Sequence, residues 1–360
     1  MTRWVLHVDL DQFLAAVEVL RHPELRGKRV VVGGDGDPAK RGVVSTASYE
    51  ARELGVRSGM ALRTAAKRCP DCVFLPVDAD AYNAASAVVM DTLRETGCPV
   101  EVLGWDEAFV GLELAEEELP AADGGREPAG RRFERVEAFA RGLAADVKAA
   151  TGLDCSVGIG DNKLQAKIAT GFAKPAGVAR LTSATWYDVL GEQPPDAIWG
   201  IGAKTVAKLA ALGVSTVREL AAADPDALAA VFGPMTGPWL VLLGRGRGET
   251  DVDPTPYVPR SHGREVTYQR NINDWAQVGP EVARLARQVA TELTGRPVAR
   301  VVVKVRYAPF ITITHGVTLA DPHEAGEPFA AAALAALAAF EADRPVRLLG
   351  VRAEFADNPE

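Results

Sequence analysis

The sequence predicts an α/β protein of several domains, and three observations lead there. Its 360 residues exceed the ~100–200 that one domain usually takes. Strand-like apolar runs alternate with helical spacing from Trp4 to Gly160 and again from Arg264 to Phe355, around an all-helical stretch that reaches about Leu243. Residues 246–259, rich in Gly, Asp and Pro, then read as a linker to a last unit of about 100 residues, a common domain size. A hydrophobic share of 48% excludes a fibre or a disordered chain. No apolar run approaches the ~20 residues that span a bilayer, and Met1-Thr2-Arg3-Trp4 enters a strand without a signal-peptide layout. A cytoplasmic protein with no membrane partner is expected.

In order, Trp4-Val5-Leu6-His7-Val8 reads as a buried strand that delivers Asp9 at its C-terminal end, with Asp11 two residues on. From Asp11 to Leu20 the spacing turns helical, with Phe13, Leu14, Val17 and Leu20 on one side. A strand therefore hands directly to a helix, whose free N-terminal amides suit an anion beside Asp9; an ordinary strand-to-helix turn reads the same way. Arg29 to Val32 is a short apolar strand, 33–42 a Gly/Asp/Pro loop, and Val43 to Ala47 a second strand. Ser48 is placed to cap a helix that begins Tyr49-Glu50-Ala51-Arg52. Tyr49 and Arg52 share a helical face, which suits phosphate oxygens or a plain surface pair.

Ala61 to Arg68 and Ala79 to Glu95 read as helices. Val100 to Leu103 and Ala108 to Leu112 read as strands, which places Gly104-Trp105-Asp106-Glu107 at a hairpin tip. Neighbouring strand side chains point to opposite faces, so two adjacent acids share a task only where the backbone bends. Asp9, Asp106 and Glu107 meeting at strand ends would repel one another unless a hard divalent cation, magnesium first, took up the charge through oxygen ligands. Metal chemistry on phosphates is the activity this pattern predicts.

Glu116 to Arg131 is acidic and then Gly/Pro-rich, a solvated loop. Phe133 to Ala150 is an amphipathic helix, and Cys155 to Gly160 a strand that completes a small mixed sheet. Asn162 to Ala169 opens another helix, stopped at Lys174-Pro175-Ala176-Gly177 because proline forbids continuation. Lys174 then either complements a helix C-terminus or binds phosphate. Gly200-Ile201-Gly202 precedes Ala203-Lys204-Thr205 as a Gly-x-Gly turn before a helix, where backbone amides can approach a phosphate as in a helix-hairpin-helix.

The last unit alternates Arg264–Tyr268 (strand), Pro280–Thr294 (helix), Ala299–Tyr307 and Phe310–Leu319 (strands), Phe329–Ala342 (helix) and Val346–Phe355 (strand). Between Arg260 and Tyr307 nine Lys/Arg face four acids, a local balance of +5 on a chain of net charge −8, which marks a candidate phosphate-facing surface. Four cysteines fit a reducing compartment. Cys69-Pro-Asp-Cys72 has metal-ligand spacing, but no second pair or nearby His completes a site, so the spacing is read as incidental.

Taken jointly and in order, His7-Val8-Asp9-Leu10-Asp11, Phe13 to Glu18, Ser48 to Arg52, Asp106 to Phe109, Val157 to Gly160 with Asn162-Lys163, Ala173-Lys174-Pro175, Gly200 to Gly202 and Ser261 to Glu265 resemble the Y-family translesion DNA polymerases, in their DinB (DNA polymerase IV-like) branch. The resemblance covers nearly the whole chain. It implies a right-hand polymerase: palm (1–10 and 79–168), small fingers (11–78), helical thumb with the hairpin (169–245), linker (246–259) and α/β little finger (260–355). It also implies that Asp9, Asp106 and Glu107, with the Leu10 carbonyl, hold two magnesium (or manganese) ions. Thr46, Tyr49, Arg52 and Lys174 match the family's triphosphate contacts, assisted by Gln12, Phe13 and Leu14. Gly200, Gly202, Lys204 and Arg264 would hold DNA. Asp11 matches a family acid that is not usually a ligand. Primer-template DNA and dNTPs are the implied partners of a monomer that works in DNA-damage repair, on the nucleoid when bound to DNA, with low fidelity and low processivity.

Three departures matter. Leu14 stands where relatives carry an aromatic steric gate, so weak exclusion of ribonucleotides is expected. Gly104-Trp105 replaces a serine and a smaller apolar residue before the acidic pair. The end, Arg352 to Glu360, lacks the tail by which relatives dock on the sliding clamp. Two rivals remain at this stage: a nucleotide cyclase, which leaves Gly200 to Lys204 and the basic last unit unexplained, and a catalytically idle DNA-binding scaffold paralogue, whose kind tends to lose the carboxylates present here.

Overall fold

The computed structural model describes residues 2–115, 129–293, 295–323 and 327–356. Most of the predicted acidic loop, Thr294 and the last four residues lie outside these. Contacts divide the described chain into two units. One holds 1–36, 44–60 and 65–256; the other holds 37–43, 61–64 and 257–360.

The first unit is built on a five-stranded sheet in the order Val100–Val102, Glu107–Leu114, Thr2–Leu10, Cys155–Gly160, Val178–Arg180. The N-terminal strand takes the centre and is buried on both faces from Trp4 to Val8. Trp4, Leu6, Val8 and Leu10 point into the main core with Phe13, Val17, Tyr82, Leu93, Val136 and Leu143. On the other face Val5 and Phe109 pack with Ala166 of the Lys163–Ala173 helix. Gly158 and Gly160 allow that helix to lie directly on the sheet: a Cβ on Gly158 would stand 2.0 Å from the Ala166 carbonyl. This close approach is what carries the lysines of the helix to the strand ends.

Beside it a three-stranded sheet runs Thr46–Ala47, Val30–Val32, Val73–Leu75. Five short helices between Trp186 and Gly244 enclose their own core around Trp186, whose indole donates to the Gly244 carbonyl at 2.8 Å. In the second unit four antiparallel strands, in the order Ile311–His323, Val298–Tyr307, Val346–Phe355, Ser261–Ile272, are covered by helices Val278–Glu292 and Glu327–Leu337.

Most predicted elements form, with instructive shifts. The first helix begins at Phe13, not Asp11, because Gln12 adopts a left-handed conformation (φ 45°), and Leu20 is 43% exposed instead of facing the core. The expected Val43–Ala47 strand shrinks to Thr46–Ala47; Val43 bridges Ala61 instead. The Ser261–Ile272 strand is longer than expected at both ends, since it pairs with Val346–Phe355 through register shifts that period-2 patterning does not show. Cys69 and Cys72 form a disulfide across their four-residue segment, so their spacing is structural and not incidental. Within the second unit Arg41 donates to the Tyr268 carbonyl at 2.9 Å and to Asn271 Oδ1 at 2.7 Å, a long-range tie that no local pattern announces.

Candidate active site

Sheet register builds the site. Asp9 is paired directly opposite Glu107 on one side and Ser156 on the other, so the Asp9 and Glu107 side chains rise on one face. Glu107 is the first residue of its strand, while Asp106 ends the turn and its carbonyl accepts from the Leu10 amide at 2.8 Å. The bend expected between the two acids is present. His7, two residues before Asp9, lies on the same face, and His7, Asp9 and Glu107 each bring one donor atom within 4.8 Å of the others. Asp106 stands beside this trio. Burial and the charges on Asp9 and Glu107 hold its carboxyl above the ordinary aspartate range.

Two ammonium groups offset the rest of this charge. Lys174 is ion-paired with Asp9, and Lys167 with Glu107. His7 Nε2 lies 3.1 Å from Glu107 Oε2, the oxygen that Lys167 also pairs with. Among the described residues Asp106 has no ion-pair partner of its own. Hard oxygen donors, cations already drawn to two of them and a third carboxylate still repelled by its neighbours together fit a site for divalent metal.

Of the residues matched to triphosphate contacts, Gln12, Tyr49 and Arg52 come together. Ser48 caps its helix by accepting from the Ala51 amide, which fixes Tyr49 and Arg52 on one face, and the Arg52 guanidinium sits 5.0 Å over the Tyr49 ring. The Tyr49 amide donates to Gln12 Oε1 at 2.6 Å, and the Tyr49 hydroxyl donates to Asp11 Oδ1 at 2.7 Å. Thr46, half-buried, opens the two-residue strand before this helix. Lys174 follows the Lys163–Ala173 helix at the predicted stop. Phe13 and Leu14 open the first helix and are both buried in the main core.

Asp11 is the residue the motif reading set aside. It is 4% exposed and accepts from the Tyr49 hydroxyl, the Ser156 hydroxyl and the Ala176 amide, the last at 2.7 Å. Gln12 and Ala176 are the non-glycine residues of positive φ among those described, and both adjoin it. Backbone in so sparsely populated a region persists only where neighbours enforce it. Asp11 is the neighbour that ties the Tyr49 helix to the segment after Lys174. Asp11→Ala leaves three donors without their acceptor and is expected to cost about 3 kcal/mol. Urea unfolding measures it; a loss within the range of ordinary surface substitutions would show that water replaces the carboxylate.

Other positions are less convergent. Gly200 (φ 95°) and Gly202 flank the turn before the Ala203–Ala211 helix, with Lys204 exposed in its first turn. Arg264 is engaged by Glu292, Nε to Oε2 at 2.8 Å. Trp105 rests beside Tyr82, ring centroids 6.2 Å apart, and stays 40% exposed. Motif reading missed His7, which looked like one more core position, and Lys167. The available signal for Lys167 was its i+4 spacing from Lys163, which puts both lysines on one face of the helix.

The impB/mucB/samB family matches residues 8–171, and the C-terminal domain of that family matches residues 259–358. The chain is 48% identical to DNA polymerase IV 2 of Mycobacterium tuberculosis over 357 residues, 98% of each chain. It is 37% identical to DNA polymerase IV of Streptomyces coelicolor, over 96% of this chain and 70% of that one. Among solved structures a Y-family DNA polymerase chimera built on Dbh superposes with a TM-score of 0.83 at 26% identity, covering 99% of this chain and 100% of the chimera. DinB from Sulfolobus solfataricus matches at 0.62 and 25% identity, over 98% of both chains. The chain belongs to the Y-family translesion DNA polymerases, in the DinB branch, and is a DNA-directed DNA polymerase.

Proposed function

We propose that the chain extends a primer 3′-hydroxyl on a DNA template by two-metal nucleotidyl transfer, with low fidelity and low processivity, and that it accepts ribonucleotides as well as deoxyribonucleotides. The observation that carries the reading is the register that sets Asp9 across from Glu107, with Asp106 at the adjoining turn. Asp9, Asp106, Glu107 and the Leu10 carbonyl would hold two divalent ions, magnesium first and manganese second. When bound, these supply an activated primer hydroxyl and neutralise the charge of the triphosphate.

The chain's own residues do the positioning. Tyr49 and Arg52 present a hydroxyl and a guanidinium from one helical face, Lys174 offers an ammonium beside Asp9, and Thr46 with the amides at Gln12 to Leu14 would complete a cradle for three phosphates. Leu14 lies against the sugar, and Phe13 backs it from the core. The right-hand division into palm, fingers, thumb and little finger follows the residue ranges given above. The Gly200–Gly202 turn with Lys204 takes backbone phosphates, sequence-independently and salt-sensitively. Arg264 would reach DNA only by leaving Glu292. We further propose that the protein acts as a monomer, in the cytoplasm and on the nucleoid.

Primer extension on an undamaged and an abasic template tests this. Incorporation is expected with magnesium, is abolished by EDTA and returns on adding magnesium or manganese. Full DNA binding without extension favours the scaffold reading, and a cyclic product from free GTP or ATP without primer favours the cyclase.

A further inference from the structure

Lys167 sits where a metal would be needed. Its side chain is 13% exposed and pairs with Glu107 Oε2, while its Nζ lies 3.2 Å from His7 Nε2 and 5.2 Å from the centroid of the Trp199 ring. The surroundings define who donates. Thr170 Oγ1 has one proton and two carbonyls to give it to, those of Ala166 at 3.0 Å and His7 at 3.1 Å. Lys167 Nζ, which can only donate, lies 3.2 Å from His7 Nε2, so Nε2 is a lone pair and Nδ1–H donates to Thr170 Oγ1 at 2.8 Å. That lone pair and Glu107 Oε2 face each other at 3.1 Å, an arrangement two acceptors tolerate only with a proton donor between them. Lys167 is that donor. The ammonium is thus the cation on Glu107, held by two acceptors on one side and faced by an aromatic ring on the other.

We propose that Lys167 is a displaceable placeholder for the divalent ion at Glu107: metal binding expels the ammonium from the carboxylate, and Trp199 receives it on its ring face. The inference rests on the proposed metal site. It makes Lys167 a positioning residue that sets how much metal the free enzyme needs. A lysine that merely braced Glu107 would help metal binding; a lysine that occupies the ligand competes with it, so the two roles differ in sign. Trp199 is 60% exposed and belongs to the segment just before the Gly200–Gly202 turn, so the hand-over also links metal loading to the residue that introduces that turn.

Manganese binding to the full-length protein, read from the electron paramagnetic resonance of the free ion without DNA or nucleotide, decides between them. Lys167→Met keeps the length of the side chain and removes its charge; it is expected to tighten manganese binding at least about fivefold. Trp199→Leu, at an exposed position that folding tolerates, removes the second seat and is expected to weaken binding about two- to fivefold. Glu107→Gln serves as the reference for the site and is expected to lose the tightest binding in either background. Binding that depends on Glu107 but is unchanged or weaker in Lys167→Met overturns the placeholder while leaving the metal site intact. No Glu107-dependent binding in any variant overturns both.

Discussion

Asp106→Ala is expected to slow primer extension by at least about 10³-fold, beyond the ~10–100-fold typical of losing an outer partner of a metal ligand, and to leave the fold as stable as before or more so. The two halves of this expectation come from the same geometry. Asp106 is anchored by its main chain, whose carbonyl accepts from the Leu10 amide at 2.8 Å, so truncating the side chain leaves the turn in place. The carboxylate itself is half-buried, and burial together with Asp9 and Glu107 holds its proton affinity up. A group in that position is repelled in the metal-free protein, and its removal is expected to raise stability by ~1 kcal/mol. Asp9 and Glu107 behave differently. Each is paired with a lysine, so truncation leaves a partly buried ammonium without its carboxylate and is expected to cost stability as well as activity. Single-turnover extension beside urea unfolding of the three alanine variants separates these cases. An Asp106→Ala protein that is inactive because it is unfolded, or that keeps near-normal extension, contradicts the placement of Asp106 at the reacting phosphate.

What the sequence made legible was what local chemistry dictates. The apolar run ending at Asp9, the bend that lets Asp106 and Glu107 cooperate, the serine cap before Tyr49 and the proline stop after Lys174 each follow from spacing of a few residues, and each is present. What stayed hidden depends on partners far along the chain. His7 sits in a strand whose other residues are core, and it becomes polar machinery only once Thr170 and Lys167 are laid across the sheet, which Gly158 and Gly160 permit. Arg264 belongs to a stretch whose average charge suggested a free basic surface, yet Glu292 lies 28 residues on and faces it at the end of the Val278–Glu292 helix. Asp11 is the sharpest case. Set aside because its family counterpart is not usually a metal ligand, it proves to be the acceptor that joins Tyr49 to Ser156 and Ala176, a role visible only after these have come beside it.

Wild-type protein is expected to discriminate poorly between dNTPs and rNTPs, and Leu14→Phe to raise that discrimination in kcat/KM about 10–200-fold, the range that the fit of one or two carbons against a substrate can command. The direction follows from size. Leu14 occupies the first turn of the Phe13–Arg21 helix, and its neighbour Phe13 cannot serve in its place, since the Phe13 ring packs edge-on against Tyr82 at 6.3 Å, inside the core. A leucine ends two carbons past Cβ, whereas a phenyl ring reaches further and presents a flat edge where the 2′-hydroxyl of a bound ribose would lie. The larger ring is expected to leave dNTP incorporation nearly unchanged and to act on ribonucleotides alone, because only they carry the group it meets. Leu14 is 6% exposed and part of the main core cluster, so the ring also overpacks its surroundings, at a cost of about 1–3 kcal/mol. Incorporation of matched dNTP and rNTP pairs by both proteins, well below the melting temperature of the variant, distinguishes lost stability, which lowers both rates together, from a restored gate, which lowers one. Strict deoxyribonucleotide preference in the wild type would mean that another side chain already closes the space Leu14 leaves open.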